Sequence, residues 1–407
     1  MRTPSLIALC GAVGAGALLL GIAVGEAVAQ REPAPVTEPQ VQHIDLEPLT
    51  VQPSALPRLR ARLDELEARG QFMGVVVVAQ GDRLLLREAY GLSDAETGRA
   101  NAPDDRFRLA SISKQFTAAA ILRLQDEGRL SVHDPVCRWI SPCPQGWEAI
   151  RLTNLLSHSS GLPDLMERPG WGDRRVTPAS LSELTTDTMR FRPRFEPGTR
   201  ARYNNAAYNL LADIVERASG RPYETFLREA FFEPLGMDDT GSDADARAEG
   251  IVMGHNTGAG GPVHGPLPNV SIIAGAGALY STADDVLAWQ RALHGGRLLS
   301  QESYSLMIAD HAPADQGLPP GARPRGWGFG LFTGDLGSGA DPQFHAPQIY
   351  HTGSWAGFRN MVSHMPGEDV TVVVLTNNYH QRDQVFLIVQ QAVAEAIGAP
   401  FPTGLQQ

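Results

Sequence analysis

Runs of branched and aliphatic residues predict β-strands near both ends of this 407-residue chain. The runs 74–79 and 83–90 are separated by Gly81-Asp82, which is typical of a hairpin. Toward the C-terminus we predict four further strands, with Pro366-Gly367-Glu368-Asp369 as a hairpin turn, and then a helix. These C-terminal elements are the strands 327–332, 349–352, 358–365 and 370–376 and the helix 381–396.

Apolar residues at helical spacing predict helices between the two groups of strands. Leu59, Leu63 and Leu66 define an amphipathic helix that ends at Gly70. A second helix covers 111–127, and because it is apolar on nearly every side we expect it to be deeply buried. Two more helices are predicted at 205–219 and 283–294.

This order of elements predicts an α/β fold of the α+β sandwich type. We expect one antiparallel sheet built from both chain ends, in a domain over 57–400. An all-helical subdomain, about 105–290, is inserted into its α/β part. Long Gly/Pro-rich loops in a compact domain are usually functional, and we expect three of them to form the walls of a cleft. They are 161–200, 252–277 and 311–348.

The first 29 residues are typical of an export signal. Arg2 supplies the positive start, 6–24 is apolar, and Ala27-Val28-Ala29 offers small residues for cleavage. We therefore expect a periplasmic or secreted protein. If the segment stays uncleaved, it would anchor the chain, and membrane association is expected only in that case. Residues 30–56, rich in Pro, Gln and Glu, are predicted to form an extended tether.

The charge of the chain argues against nucleic acid as a partner. The formal net charge is −11, whereas phosphate binding needs a basic surface. The acidic residues are spread along the chain without long runs, which favours a simple role in solubility. No Cys-x-x-Cys or His-Glu-x-x-His pattern occurs, and we predict neither a metal site nor a cofactor.

Two cysteines beyond the signal segment lie close together in the sequence. Cys137 and Cys143 flank a short segment that contains Pro142, and in an oxidising compartment this arrangement favours a small-loop disulfide. A metal site, which is the alternative, would need further ligands at matching spacing. We therefore predict a structural disulfide.

The strongest indication of chemistry is Lys114, the sole lysine among 34 basic side chains. Arg stays protonated in proteins, whereas a buried Lys can lose its proton and act as a base. On a helix the amine of Lys114 reaches Ser111, three residues earlier, as in an activated serine nucleophile. Ser111 should lie at the helix N-terminus, where the dipole suits an oxyanion. A chance Ser-x-x-Lys match, or a coding bias that spared one lysine, would give the same pattern.

Two later clusters supply further polar groups. Tyr203 and Asn205 lie just ahead of a predicted helix and can put a phenol and an amide into one site, although Asn204 or Asn205 could simply cap that helix. His351-Thr352-Gly353-Ser354 ends a strand, where Gly353 would let a substrate backbone approach closely and the Ser354 N–H can serve an oxyanion. Taken alone, His351 could equally be a surface residue of an edge strand.

In this order, the three clusters resemble the serine β-lactamase and penicillin-binding-protein superfamily. Within it they resemble the class C β-lactamase-like branch, which uses Ser-x-x-Lys, then Tyr-x-Asn, then Lys/His-Thr-Gly. The resemblance runs from about residue 66 to 397 and includes the segments 114–119, 155–162 and 275–285. The family's fold, a helical subdomain set into an α/β sandwich, agrees with the predicted order of strands and helices.

The resemblance also implies roles for individual residues. Ser111 would be the nucleophile, Lys114 its activating base, and Tyr203 the second acid/base group, which moves the proton to and from the leaving group. The implied substrate contacts are Asn205 for the acyl side-chain amide, His351 and Thr352 on the leaving-group side, Gly353 for the substrate backbone, and the N–H groups of Ser111 and Ser354 for the oxyanion.

One position departs from true class C β-lactamases, which resemble Lys-Thr-Gly there. His351 is mostly neutral at pH 7, and His-Thr-Gly looks more like the esterase and peptidase members of the family. The resemblance therefore implies an exported serine hydrolase that forms an acyl-enzyme on Ser111. Its substrates would be esters or peptide amides, D-alanyl cell-wall peptides among them. A true β-lactamase and a noncatalytic penicillin-sensing or cell-wall-binding module remain the alternatives.

Other assignments are disfavoured by the sequence itself. The chain has no Gly-x-Ser-x-Gly elbow of an α/β-hydrolase, and its sole lysine does not follow a glycine-rich phosphate loop. We interpret His158, His255 and His364 as structural residues, with His158 tying loops together.

Overall fold

The computed structural model describes residues 43–167, 170–242, 250–266, 268–316 and 325–405. The predicted signal segment 1–29 and the first part of the predicted tether lie outside these ranges. Within the described ranges, no helix is long and apolar enough to cross a membrane. The helices are α1 (Pro57–Ala68), α2 (Lys114–Asp126), α3 (Leu152–Leu156), α4 (Trp171–Arg174), α5 (Leu181–Thr188), α6 (Asn205–Ser219), α7 (Tyr223–Leu227), α8 (Glu233–Leu235), α9 (Ala274–Gly277), α10 (Ala283–His294), α11 (Gln301–Ile308) and α12 (Arg382–Ala396).

The strands follow the same chain order. They are β1 (Thr50–Val51), β2 (Gly74–Gln80), β3 (Arg83–Tyr90), β4 (Leu92–Asp94), β5 (Arg99–Ala100), β6 (Phe107–Arg108), β7 (Gly241–Ser242), β8 (His255–Gly258), β9 (Gly261–His264), β10 (Leu279–Ser281), β11 (Gly326–Trp327), β12 (Phe332–Asp335), β13 (Ala340–Asp341), β14 (Pro347–Trp355), β15 (Phe358–Met365), β16 (Val370–Thr376) and β17 (Gly404–Leu405).

Eight of these strands form one sheet, in the order β1-β3-β2-β16-β15-β14-β12-β11. Strand β2 from the N-terminal part pairs antiparallel with β16 from the C-terminal part, with Val77 opposite Val373. All neighbours in this sheet are antiparallel except β1 and β3, which run parallel. The predicted sheet completed by both chain ends is therefore confirmed.

The two faces of the sheet are buried against different helices. Successive side chains of a strand point to opposite faces, and in β2 Val75 and Val77 join the core shared with α2, α6 and α10. Val76 and Val78 join a second core with the leucines of α1 and the apolar face of α12. Because both faces are covered, β2 and β16 have near-continuous apolar sequences instead of alternating ones.

Helix α2 is buried along nearly its whole length, as its apolar sequence predicted. Phe116 packs against Trp289 of α10, with ring centroids 4.0 Å apart. The predicted helices at 205–219 and 283–294 are confirmed as α6 and α10. Residues Ala110–Ser113 form a 3₁₀ turn that leads directly into α2.

The strand predicted at 327–332 is wrong. A tight turn separates β11 from β12 there, with the Gly328 N–H donating to the Leu331 carbonyl at 3.0 Å. Gly330 adopts φ +69°, and a Cβ at this position would lie 2.5 Å from the Lys114 carbonyl oxygen. The turn therefore presses on the start of α2, and this close backbone contact requires glycine. Branched and aromatic residues on either side of the turn gave the misleading strand pattern.

The described end of the predicted tether lies on the domain surface. Ile44, Leu46 and Leu49 pack partly against the core, and the Ile44 N–H donates to the Pro234 carbonyl at 2.8 Å. Thr50–Val51 pairs with β3 as an edge strand. Proline-rich composition predicted an extended segment, and the apolar residues within it dock that segment on the domain.

The predicted disulfide is confirmed. Cys137 and Cys143 are joined, with their Cα atoms 4.9 Å apart. Its loop lies beside Trp147, which is fully buried and whose Nε1 donates to the Phe191 carbonyl at 2.8 Å. The disulfide closes a short loop between α2 and α3.

Two histidines stack on each other where α10 meets the sheet. The rings of His294 and His364 are parallel, with centroids 4.1 Å apart. Burial lowers the pKa of His364 to about 4, against a small opposing effect of Asp369. Burial and the neighbouring His364 also lower the pKa of His294. Both rings are therefore neutral in the folded protein near pH 7.

We expect this pair to make the fold sensitive to acid. Between the ordinary histidine pKa of 6.5 and the folded value of about 4, the unfolded chain binds a proton that the folded chain does not. The free energy of unfolding should therefore fall as the pH drops through this window, by roughly 3 kcal/mol for His364. Denaturant unfolding of His364→Phe, which keeps a ring against His294, should show a shallower pH dependence. The exposed His133→Phe is the control, and an unchanged slope in His364→Phe would contradict the assignment.

Candidate active site

The Ser-x-x-Lys segment forms one turn at the start of the buried helix. The Leu109 N–H donates to the Leu279 carbonyl at 2.8 Å, and Ala110 adopts φ +52°, a conformation that L-residues rarely take. Side chains three residues apart are eclipsed in a 3₁₀ turn. As a result, the Lys114 Nζ lies 3.1 Å from the Ser111 Oγ.

The amine of Lys114 is completely buried among neutral acceptors. Its Nζ donates to the Asn205 Oδ1 at 2.9 Å and to the Ala276 carbonyl at 2.7 Å. Burial lowers the pKa of Lys114 to about 7, and the nearby Asp164 carboxylate acts in the opposite direction. A substantial fraction of the amine is therefore unprotonated at neutral pH, as a base requires.

Tyr203 lies on the other side of the same amine. Its ring centroid is 4.8 Å from the Lys114 Nζ, and its face stacks on His158, with centroids 4.5 Å apart. Burial raises the pKa of the Tyr203 phenol well above its ordinary value, while a hydrogen bond with the Ser111 side chain lowers it. Tyr203 is thus a protonated phenol bonded to the Ser111 hydroxyl.

The two adjacent asparagines have different functions. Asn204 caps α6, because its side chain accepts the Ala207 N–H at 2.9 Å. Asn205 is the first residue of that helix, and its side chain turns toward Lys114. The capping alternative therefore holds for Asn204, and it leaves Asn205 in the site.

Asp164 is a site residue that the sequence did not single out. Its Oδ2 accepts from both the backbone N–H and the Nδ2 of Asn205, and its Oδ1 accepts the Met166 N–H at 2.8 Å. Because the Asn205 amino group is thereby held, the carbonyl Oδ1 is the atom that faces Lys114. The sequence did offer one indication of this role, because Asp164 lies between the apolar residues Leu162-Pro163 and Leu165. Carboxylates are rarely buried without a polar partner.

His158 is buried and neutral, as the structural interpretation predicted. Burial lowers its pKa well below the ordinary value, with Lys114 as a further cause. Its Nδ1 accepts the Asn204 N–H at 3.0 Å, and the Arg202 N–H donates to its carbonyl at 2.9 Å. The ring thereby holds the start of α6 and supports the Tyr203 ring.

Strand β14 brings the His-Thr-Gly segment against the start of α2. A Cβ at Gly353 would lie 2.1 Å from the Leu109 carbonyl oxygen, so this close approach requires glycine. Asn360 of β15 reinforces the contact by donating to the Arg108 carbonyl at 2.8 Å. Ser354 follows at once and lines the same pocket as Ser111.

His351 is buried in the sheet and is not an edge residue. Only 2% of it is exposed, and its ring stacks on Phe332 with centroids 4.8 Å apart. Its Nδ1 donates to the Thr352 carbonyl at 2.7 Å. Burial and the nearby Lys114 lower the pKa of His351 to about 3. His351 therefore carries no positive charge at neutral pH.

A pocket of about 350 Å³ joins these residues. The three predicted loop segments each supply part of its wall, namely Met166, Ile273 with Ala276, and Arg325 with Phe332. The described lining residues from the motifs are Ser111, Tyr203, Asn205, His351, Thr352 and Ser354. All three sequence clusters therefore meet in one cleft.

Arg325 is a second site residue that the sequence did not single out. Its guanidinium carbon lies 3.8 Å above the centre of the Phe332 ring and 4.9 Å from that of Trp327. Among the described residues that line the pocket, it is the one with a permanent charge. Its Nε is buried without a hydrogen-bond partner in the described part of the chain. No periodicity or motif marked it, since it lies within a long loop segment.

A group of potential metal ligands lies in another part of the protein. Ligand atoms of Asp94, His255 and His264 are within 4.8 Å of one another. Both nitrogens of His255 are already bonded, Nδ1 to the Asn377 carbonyl and Nε2 to the Ala95 N–H. His264 Nε2 pairs with Asp94 at 2.9 Å. These bonds tie the β8–β9 hairpin to the turn after β4, which agrees with a structural function of His255.

Fold and site together define a hydrolase of the serine β-lactamase type. The chain belongs to the beta-lactamase family, because the family described as Beta-lactamase matches residues 59–395. The predicted family is thereby confirmed. It is a serine hydrolase superfamily in which the relatives of this chain include penicillin-binding proteins, esterases and D-aminopeptidases.

Two relatives and one solved structure illustrate the range of similarity. Esterase EstB of Burkholderia gladioli is 30% identical over 354 residues, which cover 75% of this chain and 85% of EstB. The D-alanyl-D-alanine-carboxypeptidase/endopeptidase AmpH of Escherichia coli (strain K12) is 30% identical over 226 residues, 53% of this chain and 56% of AmpH. The structure of D-amino acid amidase from Ochrobactrum anthropi SV3 complexed with D-phenylalanine has a TM-score of 0.70 at 25% identity, covering 84% of this chain and 98% of the amidase.

We expect Asp164→Asn to change the pH profile of the site as well as its activity. Loss of the carboxylate removes the effect that raises the pKa of Lys114, so the amine should lose its proton at lower pH. Acylation by an activated ester should be slower, because a neutral amide holds Asn205 less strongly than the carboxylate does, and its acidic limb should move to lower pH. Exposed Asp104→Asn is the control. A slower variant with an unmoved limb would leave Asp164 with a purely structural function.

Proposed function

We propose that this protein is an exported serine hydrolase that acts through an acyl-enzyme on Ser111. The observation that carries this proposal is the contact between Ser111 and an amine whose burial keeps its pKa near 7. A serine hydroxyl is a weak nucleophile, and it needs an adjacent base to accept its proton. Unprotonated Lys114 supplies that base.

In the acylation step the Ser111 Oγ attacks the substrate carbonyl carbon while its proton passes to the Lys114 Nζ. The carbonyl oxygen becomes an oxyanion, which the N–H groups of Ser111 and Ser354 receive. The intermediate collapses with cleavage of the bond to the leaving group. The leaving oxygen or nitrogen takes a proton from the Tyr203 phenol, which recovers one from Lys114.

The state of Tyr203 supports this assignment. Its raised pKa keeps the phenol protonated at neutral pH, so it enters the reaction as an acid and not as a phenolate. Deacylation reverses the sequence, with water in place of the leaving group and the proton returning to the Ser111 Oγ. Asn205 holds the amine between these partners and lies on the acyl side of the substrate.

The substrate class follows from the pocket and from the relatives together. Because His351 is neutral, the site lacks the Lys cation of the Lys-Thr-Gly pattern. The relatives and the solved structure named above include an esterase, a carboxypeptidase/endopeptidase and an amidase. We therefore propose esters or peptide amides as substrates, D-alanyl peptides among them. Export, which the N-terminal segment predicts, would place the enzyme in the periplasm or outside the cell.

The sharpest test of this proposal is Lys114→Arg. Arg keeps the charge but cannot accept the serine proton, so the variant should acylate nearly as slowly as Ser111→Ala. The acylation rate of the wild type should rise as the pH passes through about 7, the pKa of Lys114. The measurement is the rate of labelling by a chromogenic ester between pH 5 and 9, with circular dichroism to verify folding. A folded Arg variant within about tenfold of wild type, roughly 1.4 kcal/mol in barrier, would exclude the base role.

Within this substrate class, Arg325 favours substrates whose leaving group carries a carboxylate. It shares the Phe332 ring with His351, so it lies on the side where the leaving group is expected. It carries the permanent positive charge that His351 lacks. A carboxylate on the leaving group, as in a peptide with a free C-terminus, would be held there by a charge-assisted contact.

We expect Arg325→Gln to weaken selection for such substrates. The kcat/KM for an N-acyl-D-alanyl-D-alanine should fall by about tenfold or more, while that for its C-terminal amide should change little. The exposed Arg297→Gln controls for net charge. Equal losses on the acid and the amide would show that Arg325 only supports the fold of the pocket.

The same substrate panel separates the alternatives. Turnover of a chromogenic cephalosporin far above that of esters and D-amino-acid peptides would identify a β-lactamase. Stoichiometric labelling of Ser111 by penicillin without turnover of any substrate would identify a sensing or binding module.

A further inference from the structure

A second cavity of about 490 Å³ lies behind one wall of the catalytic pocket. Its floor is apolar and comes from the loop segment that contains α4 and α5, together with one residue ahead of α9. The residues of this apolar floor are Leu165, Trp171, Leu184, Phe191 and Ile272. The catalytic steps proposed above do not use this cavity.

The two cavities share one partition. Leu165 lines the second cavity, and the next residue, Met166, lines the catalytic pocket. In the same way, Ile272 lines the second cavity and Ile273 lines the catalytic pocket. Trp171 of the second cavity also meets Trp355 of the catalytic pocket edge to face, with ring centroids 6.5 Å apart. The same short segments therefore form part of the wall of both cavities.

The partition lies next to Asn205. The Met166 thioether accepts from the Asn205 Nδ2 at 3.3 Å, and Asn205 is the residue that we assign to the acyl side. Arg325 and Phe332 line the catalytic pocket from the β11–β12 segment. An acyl group attached to Ser111 would thus be directed toward Met166, and the leaving group toward β12 and β14.

One residue of this partition, Met166, can change its side-chain conformation. Met166 is 42% exposed although it is a large apolar residue. Methionine has three rotatable side-chain bonds and no branch, and it can change shape around a ligand at little cost. A side chain of this kind between two cavities can turn aside for a chain that passes from one to the other.

The charges around the second cavity favour a neutral occupant. Its rim holds two arginines and two aspartates, so it has no net formal charge. Asp187 is shared by Arg174 at 3.7 Å and Arg190 at 3.5 Å. Ion pairs that remain open to solvent in this way contribute little energy, whereas burial of apolar groups on the floor below them is favourable.

We propose that the second cavity binds the distal, apolar end of the substrate's acyl group. The enzyme would then prefer acyl groups that carry a medium-length alkyl chain or an aromatic ring over small ones such as acetyl. This inference rests on the proposed acyl-enzyme function and adds a specificity site to it. Each methylene that enters the cavity removes apolar surface from water and should raise kcat/KM.

The test compares two p-nitrophenyl esters, the acetate and the octanoate, on a matched pair of variants. Thr177 lines the cavity, is exposed, and donates its hydroxyl to the Asp173 carbonyl. Thr186 of α5 is also exposed and donates to the Ser182 carbonyl in the same way, but it does not line the cavity. Thr177→Trp fills the cavity, and Thr186→Trp makes the same change outside it.

Wild type should prefer the octanoate, and Thr177→Trp should reduce that preference by about tenfold or more while acetate hydrolysis stays within about twofold. Thr186→Trp should leave both rates unchanged. Retained acetate turnover shows that the variant is folded, and Thr177→Phe replaces it if the larger residue prevents folding.

Two results would overturn the inference: a wild type without preference for the octanoate, or the same octanoate loss in both variants. Failure of the proposed function would look different. In that case acetate hydrolysis by wild type would be absent, or it would persist in Ser111→Ala.

Discussion

The burial of a single amine without a direct ion pair is the constraint on which the site depends. Lys114 is fully enclosed, and the acceptors that hold it are the neutral carbonyl groups of Asn205 and Ala276. Had a carboxylate bonded the amine directly, attraction would have kept it protonated. Asp164 instead acts through Asn205, so its charge is felt but does not cancel the effect of burial. The pKa of about 7 is the balance of these two effects.

Close backbone packing around the start of α2 makes this burial possible. The β11–β12 turn approaches through Gly330 and β14 approaches through Gly353, each at a distance that excludes any side chain. The two contacts join the sheet to the backbone at the start of α2, and the same segments bring Arg325 and Ser354 to the pocket. The same packing therefore surrounds the amine that we propose as the base and places the groups that we propose as substrate contacts.

Much of the fold and part of the site could be predicted from local patterns. Apolar periodicity predicted the hairpin, α1, α6, α10 and the last strands. In each of these elements the apolar residues repeat at the spacing that buries one or both faces. The strand predicted at 327–332 was wrong because the turn there depends on close packing of Gly330 against the distant Lys114 carbonyl, which the local sequence does not show. Asp164 and Arg325 were missed for a related reason, since their partners Asn205 and Phe332 are distant in the chain.

The sequence by itself indicated the residues to which we assign the chemistry. A sole lysine three residues after a serine, followed by Tyr203-Asn204-Asn205 and the His-Thr-Gly segment, is visible without any structure. Only the tertiary structure decided the protonation states of those residues: a partly neutral Lys114, a protonated Tyr203 and an uncharged His351. It also decided which asparagine caps the helix and which faces the amine. The physical reason is that ionisation depends on desolvation and on neighbouring charges, and both come from residues far away in the chain.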